Sequence, residues 1–200
     1  MWYTRVMLWT EKTERALNKA AELHDGQHRK GDRQLPFITH PIAVASIVSK
    51  FTDDDDIVAA ALLHDTIEDT AYTREEMQKD FGDSITEIVL GVTIPEAHEG
   101  EPHTWTSDRT RYIENLKKAS MESAMVAAAD KIHNFNSVLE DYSGKEEQYK
   151  KDFGGTSSDR VHVYGTIVQL ISERIPDAFA KELNESWRKY KTFVESLDHI

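Results

Sequence analysis

Residues 59–69, Ala-Ala-Ala-Leu-Leu-His-Asp-Thr-Ile-Glu-Asp, combine an apolar run with a dense group of ionisable side chains. The first five residues are apolar on every side, which predicts a helix buried inside a domain. The ionisable residues are His64, Asp65, Glu68 and Asp69. We expect this helix to continue through Asp69, so that, with about 3.6 residues per turn, His64 lies one turn before Glu68 and Asp65 one turn before Asp69. Because buried carboxylates are costly unless they are paired, the pattern predicts a bound cation. The alternative is that the helix reaches the surface at His64 and that the acids are solvated.

The composition narrows the kind of protein and the kind of site. A chain of 200 residues can bury a core, and we assign residues 1–200 to a single domain. The net charge of -12 argues against nucleic-acid binding, which relies on broad positive fields. No apolar run approaches the ~20 residues of a membrane span, and no signal-peptide pattern is present, so we expect a cytoplasmic protein with no membrane partner. Cysteine is absent, so a metal would need imidazole, carboxylate and water, a set that suits Mn, Mg, Fe or Zn.

Apolar residues recur at helical spacing along most of the chain, which predicts an all-α fold, a helical bundle of roughly eight to ten helices. Thr73 and Glu76 form a capping-box pattern, and Phe81-Gly82 is typical of a helix end. Asp53 to Asp56 lack the glycine of a calcium loop and are interpreted as a helix cap. Further helices are expected at about 10–24, 105–118 and 120–139, with two more between about 156 and 198 and a polar connection over 140–158.

Several polar residues outside residues 59–69 are candidates for a site. His40 precedes Pro41, which predicts His40 as the N-cap of a helix and a possible metal ligand. Asp130 follows three alanines, and Asn134 lies one turn later, which indicates either a buried hydrogen-bond network or a site. The other candidates are three cations in a glycine-bracketed loop and two histidines in a proline-rich loop, namely Arg29, Lys30, Arg33, His98 and His103.

Taken together, these residues resemble a known family. The order of His40, the adjacent His64-Asp65 and the distant Asp130 is similar to the H…HD…D signature of HD-domain metal phosphohydrolases. More narrowly, the chain resembles the hydrolase domain of RelA/SpoT-type proteins, especially the stand-alone small alarmone hydrolases typified by the metazoan SpoT homologue. The matching blocks lie within about residues 10–140, and Glu68-Asp69 makes the match more specific than the HD signature alone.

The resemblance implies a metal site, a reaction and a set of roles. It implies one Mn²⁺ held by His40, His64, Asp65 and Asp130. It assigns Glu68 and Asp69 to positioning and deprotonating water and to proton transfer. It places four residues against the base or phosphates of a nucleotide, namely Arg29, Lys30, Lys131 and Asn134. The implied reaction is hydrolysis of the 3′-pyrophosphate of ppGpp or pppGpp to give GDP or GTP and pyrophosphate.

Several alternatives remain open from the sequence. Phe37 stands where the family more often has tyrosine, and the 94–104 and 140–158 segments are unusual, so adenosine alarmones or NADPH are also candidate substrates. A second interpretation is another HD-domain phosphohydrolase, acting on a 5′-nucleotide or a cyclic nucleotide. A third is a non-catalytic module that binds a nucleotide and uses the metal only for structure. The sequence gives no indication of an oligomeric partner.

Overall fold

The computed structural model describes residues 9–31, 33–97, 100–101 and 104–199. The predicted all-α class is confirmed, because these residues form ten α-helices and a 3₁₀ turn, and their one β feature is an isolated bridge between His28 and Pro36. The helices are α1 (Glu11–Leu23), α2 (Thr39–Val48), α3 (Asp55–Leu63), α4 (Thr66–Asp69), α5 (Arg74–Leu90), α6 (Trp105–Lys118), α7 (Met121–Tyr142), α8 (Glu146–Asp152), α9 (Ser157–Ser172) and α10 (Asp177–Ser196), followed by the 3₁₀ turn Leu197–His199.

Helix α3 lies at the centre of the fold, as its apolar sequence predicts. Every residue from Ile57 to Leu63 is buried, and the helix packs against α1, α2, α5 and α7. Full burial of a leucine contributes about 2 kcal/mol, so Leu62 and Leu63 alone give α3 a strong preference for the interior. The end of α3 is therefore held in a fixed position deep in the protein.

The prediction of one continuous helix through residue 69 is wrong. Helix α3 ends at Leu63, residues 64 and 65 form a turn, and α4 starts at Thr66. The His64 ring nitrogen Nδ1 lies 2.9 Å from the Ala61 carbonyl oxygen, and the Thr66 hydroxyl donates to the Leu63 carbonyl at 2.7 Å. In a continuous helix these two carbonyls would accept from backbone N–H groups four residues later, so the side chains compete with the helix and interrupt it.

The start of α2 also differs from the prediction. His40 is the second residue of α2 and does not cap it, because the helix begins at Thr39. The Thr39 hydroxyl and its N–H both donate to the Pro36 carbonyl, at 2.8 and 3.1 Å, which starts the turn one residue early. The His40 side chain is buried, with 1% of its surface exposed.

Other predicted boundaries have mixed outcomes. The Thr73–Glu76 capping box is present, the Asp54 side chain caps α3, and the predicted 105–118 helix matches α6. The helix end at Phe81-Gly82 is a break within α5, because Gly82 has φ 82°. The prediction that residues 140–158 form only a polar connection is wrong, because they contain α8. This short polar helix is anchored by the buried Tyr149, whose hydroxyl lies 2.6 Å from that of Tyr190.

Among the described helices, none combines the length and apolar character needed to cross a membrane.

Candidate active site

The four predicted metal ligands come together from separate elements. His40 lies on α2, His64 and Asp65 lie in the turn between α3 and α4, and Asp130 lies on α7. His40 Nε2 is 3.3 Å from Asp65 Oδ2 and 3.2 Å from Asp130 Oδ1. His64 Nε2 is 3.1 Å from Asp65 Oδ1 and 3.8 Å from Asp130 Oδ1. The nitrogen and oxygen atoms of His40, His64 and Asp65 are grouped closely enough to hold one metal ion, and Asp130 faces the same point.

The hydrogen bonding of His64 fits a metal-binding role. A carbonyl oxygen can only accept, so Nδ1 of His64 carries the proton that it shares with the Ala61 carbonyl. Nε2 of a neutral His64 is then an unprotonated nitrogen, and within the described part of the chain this buried atom has no hydrogen-bond partner. A lone pair that faces carboxylate oxygens is unfavourable unless a proton or a metal cation lies between them. The donor set of two imidazoles and two carboxylates therefore fits a divalent metal.

The electrostatics of the cluster also favour a cation. Burial by itself would lower the pKa of His64, but the carboxylates of Asp65 and Asp130 outweigh it and raise the pKa to about 9. Burial would raise the pKa of Asp65, but the two histidines hold it well below its usual range. The group therefore attracts positive charge, which a proton or a metal ion can supply.

Glu68 and Asp69 lie beside this cluster and open into the same cavity. Glu68 Oε1 accepts a hydrogen bond from the Ile94 N–H at 2.5 Å. The surrounding protein desolvates the carboxylate and, aided by the charge of Asp65, raises the pKa of Glu68 to about 7. Desolvation likewise raises the pKa of Asp69, whose backbone carbonyl accepts from Gln27 Nε2 at 2.9 Å. Glu68 can therefore exchange a proton near neutral pH.

Asp130 connects the metal cluster to the predicted substrate-binding residues. Its Oδ1 accepts a short hydrogen bond from Asn134 Nδ2, and Asn134 Oδ1 accepts from Arg29 Nη2 at 2.9 Å. Its Oδ2 accepts from Lys131 Nζ at 2.6 Å. Burial would raise the pKa of Asp130, but Lys131 and His40 outweigh it and lower the pKa strongly. Lys131 is itself buried, and the Asp130 carboxylate balances its positive charge.

Two of the three predicted loop cations line the cavity. The bridge between His28 and Pro36 closes the loop and directs Arg29 towards α7, while Lys30 lies at the exposed rim. Lys30 Nζ donates to the Asp152 carbonyl at 3.1 Å. Arg33 does not line the cavity, and it forms ion pairs with Glu140 and Asp141 at the end of α7, at 2.8 and 2.6 Å.

The cavity has a volume of about 460 Å³ and contains cations that sequence reasoning did not assign to a site. Arg160 is buried, and its guanidinium lies 5.1 to 5.5 Å from the rings of Trp105, Tyr149 and Phe153. Arg109 also lines the cavity, and its buried Nε has no hydrogen-bond partner within the described residues. Arg160 is a single cation near the start of a helix predicted from its apolar residues, and Arg109 is one of several cations in α6, so neither stands out in the sequence.

His133 is a third residue that sequence reasoning left unassigned. Its Nδ1 lies 2.7 Å from Nδ1 of His40. Burial, and then the charges of His40 and Arg29, lower the pKa of His133 to about 4, so its ring is neutral near pH 7. The candidate ligands His98 and His103 lie outside the described residues.

Comparison with known proteins places these residues in context. Residues 16–154 match the family model described as HD domain. The chain is 36% identical over 128 residues to a zebrafish (Danio rerio) protein named guanosine-3′,5′-bis(diphosphate) 3′-pyrophosphohydrolase MESH1, covering 61% of this chain and 66% of that protein. A solved structure of a metazoan ortholog of SpoT, described as hydrolysing ppGpp, has a TM-score of 0.73 and 26% identity, covering 90% of this chain and 96% of that chain.

The bacterial relatives are much longer than the matched region. The chain is 38% identical over 140 residues to a GTP pyrophosphokinase of Streptomyces coelicolor, covering 69% of this chain and 16% of that protein. It is 36% identical over 125 residues to a guanosine-3′,5′-bis(diphosphate) 3′-pyrophosphohydrolase of Haemophilus influenzae, covering 60% of this chain and 17% of that protein. The similarity to these two proteins therefore concerns one part of each of them.

Proposed function

Because the chain belongs to the HD domain family, we propose that it is a metal-dependent hydrolase that removes the 3′-pyrophosphate of ppGpp or pppGpp. The products are GDP or GTP and pyrophosphate. The relatives named for this activity support the choice of substrate, and the covered part of the zebrafish protein is about two thirds of its length. The observation that carries the proposal is a single cavity in which the His/Asp cluster, Glu68 and several cations face one another.

The proposed cofactor is one Mn²⁺ bound by His40, His64, Asp65 and Asp130. The mixed imidazole and carboxylate donors favour this ion over Mg²⁺, which prefers oxygen ligands and keeps its waters. A divalent ion bound there would supply Lewis-acid activation of water and of a phosphoryl oxygen.

Glu68 is the proposed general base. The hydrogen bond from the Ile94 N–H fixes the direction of its carboxylate towards the cavity beside the proposed metal, and in the metal-free protein burial raises the pKa of Glu68 to about 7. In the reaction, the oxygen of water bonds to the phosphorus attached to the ribose 3′-oxygen, and that P–O bond breaks. Glu68 takes the proton from water, and Asp69 assists transfer of a proton to the leaving 3′-oxygen. The oxygen of the added water thus ends in pyrophosphate, and a proton ends on the 3′-oxygen of the nucleotide.

Substrate binding is assigned to the cations and the amide that line the cavity. Arg29, Lys30, Lys131 and Asn134 are proposed to contact the base or the phosphates. Arg109 joins them as a phosphate partner, because its buried Nε has no hydrogen-bond partner among the described residues and gains one when an anion enters. These cations offset the negative charge of the substrate within a chain whose net charge is -12.

The deciding experiment is Mn²⁺-supplemented hydrolysis of ppGpp, ppApp and NADPH side by side, with identification of the phosphate that leaves. We expect pyrophosphate from ppGpp. Pyrophosphate from ppApp at a higher rate would move the assignment to adenosine alarmones, which the unusual 94–104 and 140–158 segments leave open. Release of orthophosphate without pyrophosphate from every nucleotide would contradict the proposal and favour another HD-domain phosphohydrolase.

A further inference from the structure

The two candidate histidine ligands have different partners on the side away from the metal. The Nδ1 atom of His64 is held by the backbone carbonyl of Ala61 at 2.9 Å. Nδ1 of His40 meets another side chain, since it lies 2.7 Å from Nδ1 of His133. The two rings are 4.9 Å apart between centroids and tilted by 39°. His133 is three residues after Asp130, so α7 presents a ligand and this second histidine on neighbouring positions of one face.

The proton positions follow from the distances. Two ring nitrogens 2.7 Å apart need one proton between them, because two lone pairs would repel. Nε2 of His40 faces Asp65 and Asp130 at 3.3 and 3.2 Å, so it is the atom available to a metal. A neutral His40 that binds through Nε2 keeps its proton on Nδ1 and donates it to Nδ1 of His133.

We propose that His133 is a positioning residue that accepts the Nδ1–H hydrogen bond of His40 and so fixes the tautomer and the ring orientation that present Nε2 to the metal. The proton of His133 then lies on Nε2, which is 3.4 Å from the Ser137 hydroxyl. Partners of this kind orient the metal ligand, and their loss usually weakens metal binding 10- to 100-fold. The inference rests on the metal centre of the proposed function and is independent of the substrate.

A matched pair of variants separates this role from simple packing. In His133→Asn the side-chain carbonyl can occupy the position of Nδ1 and accept the same bond, whereas His133→Phe keeps a ring of similar size without an acceptor. We expect His133→Phe to bind Mn²⁺ ~10–100-fold more weakly and His133→Asn to bind close to wild type, measured by electron paramagnetic resonance titration of metal-stripped protein. Ser137→Ala is the control, because its contact with His133 is long and we expect near wild-type affinity.

A spectroscopic measurement on the wild type avoids dependence on variant folding. Two-bond ¹⁵N–¹H correlations of histidine rings in Zn²⁺-loaded protein are expected to place the proton of His40 on Nδ1 and that of His133 on Nε2. The opposite tautomers would overturn the inference. It would also be overturned if His133→Phe bound Mn²⁺ like wild type, or if both variants lost affinity equally while metal-free thermal unfolding stayed unchanged. Failure of the wild type itself to bind metal would instead remove the proposed metal centre.

Discussion

Replacing Glu68 by glutamine is expected to inactivate the protein and, in the absence of metal, to stabilise it above pH 7. The carboxylate lies in a cavity that desolvates it, which raises its pKa from 4.5 to about 7. Glutamine has the same shape and can still accept the hydrogen bond from the Ile94 N–H, which is 2.5 Å long in the wild type. The substitution therefore removes the charge and the titratable group with little change in packing.

The magnitude follows from the rise in pKa. An increase from 4.5 to about 7 is roughly 2.5 pH units, which at ~1.36 kcal/mol each sets a ceiling of about 3 kcal/mol. The side chain is open to the cavity, so solvent screening reduces the expected gain to ~1 kcal/mol. Below pH 4.5 the carboxyl is protonated in both folded and unfolded chains and the variants should be equally stable. Above pH 7 the folded wild type carries an unfavourable charge, so the advantage of glutamine is then complete.

The assay is thermal unfolding in the presence of a chelator at pH 3.5 and pH 8, together with kcat in the presence of Mn²⁺. For a chain of 200 residues, ~1 kcal/mol corresponds to a Tm increase of about 2–4 °C at pH 8. Loss of a general base should lower kcat ~10²–10⁴-fold while metal stays bound. Glu114→Gln is the control, because Glu114 is paired with Lys117 on the surface and its pKa is lowered. If Glu68→Gln unfolds at a lower temperature, or keeps kcat, the assignment of Glu68 is wrong.

Three further predictions test the metal and the substrate contacts. Chelation should abolish activity, and Mn²⁺ should restore it better than Mg²⁺ because of the imidazole ligands; full activity of stripped protein, measured with its metal content, would refute the mechanism. Asp130→Ala should lose Mn²⁺ and the metal-dependent part of Tm, and it should also destabilise the metal-free protein because Lys131 is left buried without its carboxylate. Unchanged metal content would remove Asp130 from the site. Lys30→Ala should mainly raise KM. Binding of the substrate by the wild type should weaken as salt increases, because Lys30 is exposed and salt screens its attraction to the substrate phosphates. A fall in kcat alone would argue against a binding role.

The central part of the fold could be predicted because its signals are local. The apolar run ending at Leu63 has no face suited to water, so burial followed directly from composition. Helix α6 has a clear apolar stripe and a Thr104 cap, and its observed limits equal the predicted ones. The capping box at Thr73 was likewise readable from two residues three apart.

The structure differs from the prediction where side chains compete with backbone N–H groups for carbonyl oxygens, and where contacts with residues distant in sequence determine the local structure. Nothing in the spacing of His64 and Thr66 indicates that both will bond to carbonyls of the preceding turn and end α3. Helix α8 is short and polar, and it is held by Tyr149 packing against residues far along the chain, including Tyr190. The contact between His133 and His40 joins residues 93 positions apart, so no local pattern could reveal it.

The turn after α3 holds two consecutive residues, His64 and Asp65, whose side chains reach one cluster. On a helix, neighbouring side chains point about 100° apart, and His64 and Asp65 both keep right-handed helical backbone angles, so the backbone turn alone does not bring their side-chain ends together. In the turn after Leu63, His64 Nε2 and Asp65 Oδ1 are 3.1 Å apart and both face His40 and Asp130. The bond from His64 Nδ1 to the Ala61 carbonyl occupies an acceptor that the helix would use and at the same time holds the ring so that Nε2 points into the cluster. The end of α3 and the orientation of the His64 ring thus share one hydrogen bond, which is why the pattern at residues 59–69 could predict ionisable side chains grouped at the end of a buried helix but not the residue at which that helix ends.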